Sequence, residues 1–247
     1  MTLRRPILEH RTAMRLAATE YGRCLRQWRG LRPGDWTKPT ECPGWTVRDI
    51  VAHLVGMVEM AASIRESRRQ VKTAQARGGM FIDALTGLQV AERADWSPQQ
   101  LVERFARRMS AGVRGRRFTP PLLRSRPMGI PQDVGGLPED WSLGYLLDTI
   151  LTRDPWMHRS DIARAIGQPL ELTPKHDGAI VSDVVAEWQT RHDKPFELHL
   201  TNPAGGRWSR GTGGEQIDMD AVEFCRLLSE RGDPAERTGL LGVVVPF

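Results

Sequence analysis

Three side chains have metal-binding chemistry at positions a fold can bring together: His53, Asp154 and His158. Asp154 and His158 are four residues apart. On a helix that spacing stacks them on one face, where a carboxylate and an imidazole can reach one ion. Leu147, Leu151, Asp154, His158, Ile162 and Ala165 recur at intervals of three and four. The stripe is otherwise apolar, so it is expected to face a core. A carboxylate on such a stripe is costly to bury without a counter-charge, and a divalent cation supplies one. His53 lies between Ile50 and Met57 on the apolar side of an earlier helical segment and is the third candidate ligand. Two imidazoles and one carboxylate make the protein-ligand set of a catalytic zinc site, with one coordination position open.

Spacing alone leaves rivals standing. A single histidine on an apolar helix face is commonly a hydrogen-bonded core residue. Asp154-Pro155 also has the form of a helix start, with aspartate as N-cap and proline in the first turn. On that reading the helix breaks at Arg153, and His158 pairs with Asp161. Arg153 and Arg159 read as solvated or ion-paired surface residues. Asp161 reads as packing, as a surface ion pair, or as a carboxylate that orients an imidazole. No protein nucleophile stands out: Cys42, between Glu41 and a Pro-Gly turn, reads as a structural loop cysteine.

Rigid elements must hold these residues. The helix that carries His53 starts at Thr46, where the hydroxyl and Asp49 form a capping box, and its stripe continues through Ile50, Leu54, Met57, Ala61 and Ile64. A preceding helix is predicted from Ile7 to about Trp28, with the Pro- and Gly-punctuated loop from Leu31 to Gly44 between the two. A short helix is expected from Met80 to Ala94. Ser97-Pro98-Gln99-Gln100 is the clearest start signal: serine caps, proline takes the first position and Gln100 closes the box. That helix runs through Leu101, Phe105 and Met109. The last helix of the set spans about Ser142 to Ile166, and Gly167 takes the left-handed position after it. Phe118 to Trp141 holds five prolines and a Gly-Gly pair, a connection of the length used as a lid or binding loop. Four long helices with polar connections predict a four-helix bundle over residues 1–168.

Residues 169–247 change character. A helix is expected from Thr173-Pro174 to about Arg191, and an alternating strand over Phe196 to Leu200. A second strand surrounds Trp208 between two Gly-Gly turns. Asp218 or Asp220 caps a last helix, and Leu240 to Phe247 reads as a terminal strand. This is a small α+β domain, so the chain as a whole is an α+β multidomain protein. The glycines form no phosphate loop, because GxxxxGK[ST] is absent.

Composition narrows the function classes. A hydrophobic content of 40% is sufficient for a core. No apolar run approaches the roughly 20 residues that cross a bilayer. The opening MTLRRPILEH lacks the apolar stretch of a signal peptide, so a cytoplasmic location is expected, with no membrane partner. Cys24, Cys42 and Cys225 are too few and too far apart for a disulfide framework or a CxxC site. A net charge of +5 invites a nucleic-acid partner, but the basic residues are spread along the chain and no nucleic-acid motif accompanies them, so none is expected. From Arg104 to Arg126 the charge is locally one-signed, either as a solvated face and loop or as a cationic rim for an anionic substrate.

Two runs carry a resemblance. The first is Pro39-Thr40-Glu41-Cys42-Pro43-Gly44-Trp45-Thr46-Val47-Arg48-Asp49-Ile50-Val51-Ala52-His53-Leu54. The second extends from Thr152 through Asp154-Pro155-Trp156-Met157-His158 to Gly167. Together they resemble the mycothiol-dependent maleylpyruvate isomerase family, a DinB-like metal-binding helical bundle followed by a small α+β, sterol-carrier-like domain. The resemblance covers essentially the whole chain, including a C-terminal domain that ends in Val-Pro-Phe. It implies that His53, Asp154 and His158 bind zinc or another divalent metal. It also implies that mycothiol supplies the nucleophile and that a small electrophile is isomerised or S-conjugated. The family pattern has Glu at the acidic position, where this chain has the shorter Asp154. A thiol-independent zinc hydrolase shares the same ligands, and a non-catalytic binding or regulatory protein would retain the bundle alone.

Overall fold

The computed structural model describes residues 3–247; Met1 and Thr2, part of the stretch read above for a leader, lie outside them. The described residues form two compact units. The first holds the residues up to Asp133 together with Leu137–Gln168, and the second holds Val134–Gly136 and Pro169–Phe247. Among the described residues no helix is long and apolar enough to cross a membrane.

The helices of the first unit are α1 (His10–Arg29), α2 (Val47–Ala62), α3 (Ile64–Arg77), α4 (Phe81–Ala91), α5 (Pro98–Arg117), the short α6 (Pro121–Arg124) and α7 (Leu151–Ile166). Helices α1, α2, α5 and α7 pack as the expected four-helix bundle, with α3 and α4 against α2. The two capping boxes form as read: Thr46 and Asp49 open α2, and Ser97 and Gln100 open α5. Gly167 ends α7 in the left-handed conformation, at φ 68°. Helix α2 stops at Ala62, two residues before the end of its apolar stripe. Ser63 swings to φ −152° and caps α3, which leaves Ile64 76% exposed instead of in the core. Helix α1 likewise starts at His10, after an exposed Ile7.

Helices α2 and α5 cross at small residues. A Cβ on Gly115 would lie 2.0 Å from Ala61 O, and one on Gly112 would lie 3.2 Å from Val58 O. Around this crossing Tyr21, Trp28 and Phe105 pack edge to face, with ring centroids 5.5 and 4.5 Å apart.

The approach to α7 is irregular. Ser142 N–H donates to Arg4 O (2.9 Å) and Leu143 N–H to Arg126 O (2.8 Å). A π-helical turn, Tyr145–Ile150, then leads into α7, and Leu151 N–H reaches back five residues to Leu146 O. Pro155 sits inside the helix and brings no N–H for Leu151 O. Arg116 of α5, fully buried, supplies the missing donors. Its Nε donates to Leu147 O (2.8 Å), and its Nη1 to Leu151 O (2.8 Å) and the Tyr21 hydroxyl (3.1 Å). Its Nη2 donates to Thr152 Oγ1 (2.6 Å). The helix therefore passes through Asp154-Pro155 without a break.

Other arginines of the same basic segment are paired. Arg104 meets Glu59, Arg124 meets Asp148, and Arg107 lies 3.5 Å from Glu103. The segment is thus neither a simple solvated face nor a one-signed rim. The proline-rich connection is also more ordered than the sequence suggests. It holds α6 and two short strands, β1 (Gln132–Val134) and β2 (Leu137–Glu139).

In the second unit α8 (Asp177–His192) is followed by β3 (Phe196–Thr201), β4 (Gly206–Arg210), β5 (Glu215–Asp220) and α9 (Ala221–Leu228). Strand β3 is central, antiparallel to β4 and parallel to β5. Phe196, Leu198 and Leu200 alternate into the core, where Trp188 of α8 meets Phe196 and Phe224 at 4.8 and 5.3 Å. Strand β5, polar along most of its length, gave no strand signal. Asp220, not Asp218, caps α9 by accepting from Val222 N–H (2.8 Å). The segment from Leu240 is not a strand: Gly239–Gly242 is a 3-10 turn, and Val245 N–H bonds to Leu228 O (2.9 Å), at the end of a helix and not on a sheet edge.

Arg116→Met should leave two buried carbonyls without donors, at about 1–3 kcal/mol each, and lower the urea unfolding free energy by about 3–5 kcal/mol. Adding Pro155→Ala to that variant returns an N–H to Leu151 O and should recover about 1 kcal/mol or more. Strict additivity of the two substitutions would contradict this account.

Candidate metal centre

Helices α2 and α7 bring His53, Asp154 and His158 together inside the first unit. His53 Nε2 lies 3.4 Å from each Asp154 carboxylate oxygen, and His158 Nε2 lies 3.3 Å from Oδ1. The two imidazoles are buried and stand edge to face, centroids 5.3 Å apart. Trp45, just before α2, lies against both rings at 5.4 and 6.1 Å. The Asp154 side chain keeps 16% exposure and is the most accessible member of the trio. Asp154 caps nothing: the residue before α7 is Ile150, and no side chain caps this helix.

A second layer of polar groups orients the imidazoles. His53 Nδ1 faces Gln89 Oε1 at 2.7 Å. His158 Nδ1 donates to Asp161 Oδ2 at 2.9 Å, and the same oxygen accepts from Cys42 Sγ at 3.4 Å. With both Nδ1 positions protonated, each neutral ring turns an Nε2 lone pair toward the Asp154 carboxylate. Two lone pairs and an anion at 3.3–3.4 Å repel one another unless a proton or a metal cation lies among them. Ligand atoms around a tetrahedral ion with bonds of about 2.0–2.1 Å stand about 3.3–3.4 Å apart. The donor set therefore fits a zinc-type divalent ion in both composition and spacing. Cys42, His158 and Asp161 also cluster, but the 2.9 Å contact there is a shared proton, closer than two ligands of one tetrahedral ion approach.

Without a metal, a proton takes that place. Burial alone would raise the Asp154 carboxyl, but the imidazoles of His53 and His158 outweigh it and hold it well below the usual carboxylate range. Burial alone would depress His158, but Asp154, then Asp161 and Cys42, raise it well above the ordinary imidazole value.

Several neighbours differ from the sequence reading. Arg153 and Arg159 are buried, and Arg159 Nε meets Glu20 Oε1 at 2.5 Å. Asp161 is the imidazole-orienting carboxylate among its three readings. Cys42 is a loop residue, as read, but its sulfur sits in the second layer. Gln89 was missed. Its one signal is a buried amide on the largely apolar α4, which does not identify its partner.

In chelator-treated protein, ionised Asp154 and protonated His158 stabilise each other. The Asp154 contribution is present above its unfolded pKa of about 3.9 and is lost as pH falls toward its lower folded value. The His158 contribution is complete below its unfolded pKa of about 6.5 and is lost as pH rises through its higher folded value. The pair should therefore stabilise the metal-free fold most between about pH 4 and pH 6.5, with a decline at higher pH. Urea midpoints measured from about pH 5 to pH 9 check this, and Asp154→Asn should flatten the slope. A slope unchanged in that variant would assign it to other groups.

The model of the mycothiol maleylpyruvate isomerase N-terminal domain matches residues 17–163. Two uncharacterised proteins of Mycobacterium tuberculosis, from strains CDC 1551 / Oshkosh and ATCC 25618 / H37Rv, are each 26% identical over 221 residues. Those alignments cover 81% of this chain and 77% of each relative. The crystal structure of a mycothiol-dependent maleylpyruvate isomerase superposes with a TM-score of 0.58 at 15% identity, over 92% of this chain and 91% of that one. A histidine-to-alanine mutant of the isomerase gives 0.58 at 14% identity, over 91% and 90%. The likeness covers the helical bundle and the C-terminal α+β domain alike, so the fold is the expected DinB-like bundle with a small α+β domain. The family model spans more than half of the sequence, and the chain belongs to the mycothiol maleylpyruvate isomerase family.

Proposed function

We propose that this protein is a metal-dependent enzyme that uses mycothiol to act on a small electrophilic substrate, as an isomerase or an S-transferase. One zinc-like divalent ion is held by His53, Asp154 and His158. The observation that carries this reading is the convergence of two imidazole Nε2 atoms on one carboxylate at 3.3–3.4 Å, in a chain of this family. When bound, the ion would offer an open position to the thiol sulfur and favour its ionised form at neutral pH.

The protein's own groups do the rest. Gln89 and Asp161 stand at the Nδ1 side of the two rings, so the Nε2 side of each faces the ion. Asp154 brings a single negative charge, so a divalent ion keeps net positive charge to share with an incoming sulfur. Trp45 covers the imidazoles on one side and limits water there. The exposed edge of Asp154 leaves the approach for ligands. Cys42 lies on the Nδ1 side of His158, so the nucleophilic sulfur comes from the bound thiol and not from the chain. A thiol cofactor that must stay reduced fits a cytoplasmic setting. The substrate is a small molecule; neither a nucleic acid nor a membrane is part of the reading.

Metal analysis should find about one zinc-like ion per chain, and His53→Ala should remove most of it. Asp154→Asn should weaken metal binding at least tenfold without disturbing the helix, since Asp154 caps nothing. Full metal content in His53→Ala would refute the ligand set. Mycothiol should bind the metal-loaded form more tightly than the stripped form and release a proton near neutral pH, which calorimetry in buffers of different ionisation enthalpy measures. Turnover without added thiol would favour a zinc hydrolase. A protein that retains no metal would favour a non-catalytic binding role.

A further inference from the structure

Gln70 of α3 and Gln89 of α4 are both buried and linked amide to amide. Gln89 Nε2 donates to Gln70 Oε1 at 2.8 Å. Gln70 Nε2 donates to Gly56 O at 3.1 Å and to Glu66 Oε1 at 2.9 Å. The polarity of this chain is fixed at its far end. A backbone carbonyl can only accept, and the Glu66 carboxylate is already engaged by Arg69, Nη2 to Oε1 at 2.6 Å and Nε to Oε2 at 2.9 Å. Gln70 must therefore turn its NH2 toward them and its oxygen toward Gln89. Gln89 must answer with its own NH2. Its oxygen is then left facing His53 Nδ1 at 2.7 Å, a position that only an N–H satisfies.

A second observation concerns the room this arrangement needs. A Cβ on Gly56 would lie 2.6 Å from Gln89 Cγ and 2.7 Å from its Cβ. The glycine lets Gln89 pass close to α2, and its carbonyl anchors Gln70. Arg93 Nη1, beside the same glycine, donates to Gln89 O at 2.7 Å.

We propose that Gln89, aligned by Gln70, is a positioning residue that holds His53 as the Nδ1–H tautomer and so aims its Nε2 lone pair at Asp154 and His158. The Nδ1 proton follows from the hydrogen bonds alone. Its effect on metal affinity rests on the ligand set proposed above.

The tautomer can be read without metal. Long-range ¹H–¹⁵N spectra of chelator-treated, ¹⁵N-labelled full-length protein report which ring nitrogen carries the proton, with the His53 signals assigned by their loss in His53→Ala. The wild type should show a protonated Nδ1 throughout and, where the ring is neutral, a bare Nε2. Gln89→Met, which keeps length but removes the acceptor, should shift His53 toward the Nε2–H form and weaken zinc binding about 10–100-fold, with His158 signals in place. Gly56→Ala should reproduce that pattern. Gln89→Glu retains an acceptor and should keep the wild-type tautomer. A neutral wild-type ring protonated at Nε2 and bare at Nδ1 would overturn the proposal, and that measurement needs no variant to fold. Unchanged tautomer and zinc affinity in Gln89→Met would overturn it as well. If the wild-type tautomer is as stated but the protein binds no zinc, the positioning role stands and the ligand reading falls.

Discussion

Arg116 gives up contact with water and donates to two backbone carbonyls that the last bundle helix cannot satisfy for itself. Without those donors, a π turn followed by a proline four residues into α7 would be a place for the helix to end. With them the helix continues, and Asp154 and His158 stay one turn apart on a single face. The guanidinium fork suits the task because its donors diverge in one plane and keep their charge when buried. Its remaining contacts, to Tyr21 and Thr152, draw α1 and α7 to α5 at the same point. The crossing of α2 and α5 at Gly112 and Gly115 then sets how near α2 comes, and with it His53.

The interior of this bundle holds many polar side chains, and they are organised by charge. Glu20 meets Arg159, and Glu59 meets Arg93 and Arg104, so buried carboxylates away from the site face guanidinium groups. A buried pair of this kind is a poor source of net stability, but loss of one partner is costly. The trio around Asp154 is built differently. Its carboxylate faces two imidazoles whose other nitrogens are already committed, so charge balance there depends on a mobile species, a proton or a metal ion.

Much of the framework was legible because it is written locally. The boxes at Thr46 and Ser97 and the glycine after Ile166 need only a few adjacent residues to act. The three-and-four spacing also placed Asp154 and His158 on one face, and it placed His53 on the buried side of its own helix. What escaped depends on distant partners. Arg116 was read only as one charge in a basic run, because nothing near it in sequence announces acceptors 31 to 36 residues on. Gln89 is 36 residues from the ring it orients. Strand β5 is set by pairing with β3 and carries little apolar alternation of its own. The local pattern of Asp154-Pro155 pointed to a helix start, and tertiary hydrogen bonding overrode it.

The π turn at Tyr145–Ile150 also uncouples two demands on one helix. A π turn contains one residue more than the α turn it replaces, and each residue rotates a helix by about 100°. The segment before the turn is pinned by Ser142 and Leu143 to strands of chain on its own side. The segment after it must present a fixed azimuth to α2. In a uniform α-helix the two phases would be locked together, and any change at the anchored end would spin the far face out of alignment. The extra residue acts as a phase adjuster, so that the anchoring end and the working face can each keep the rotation they require.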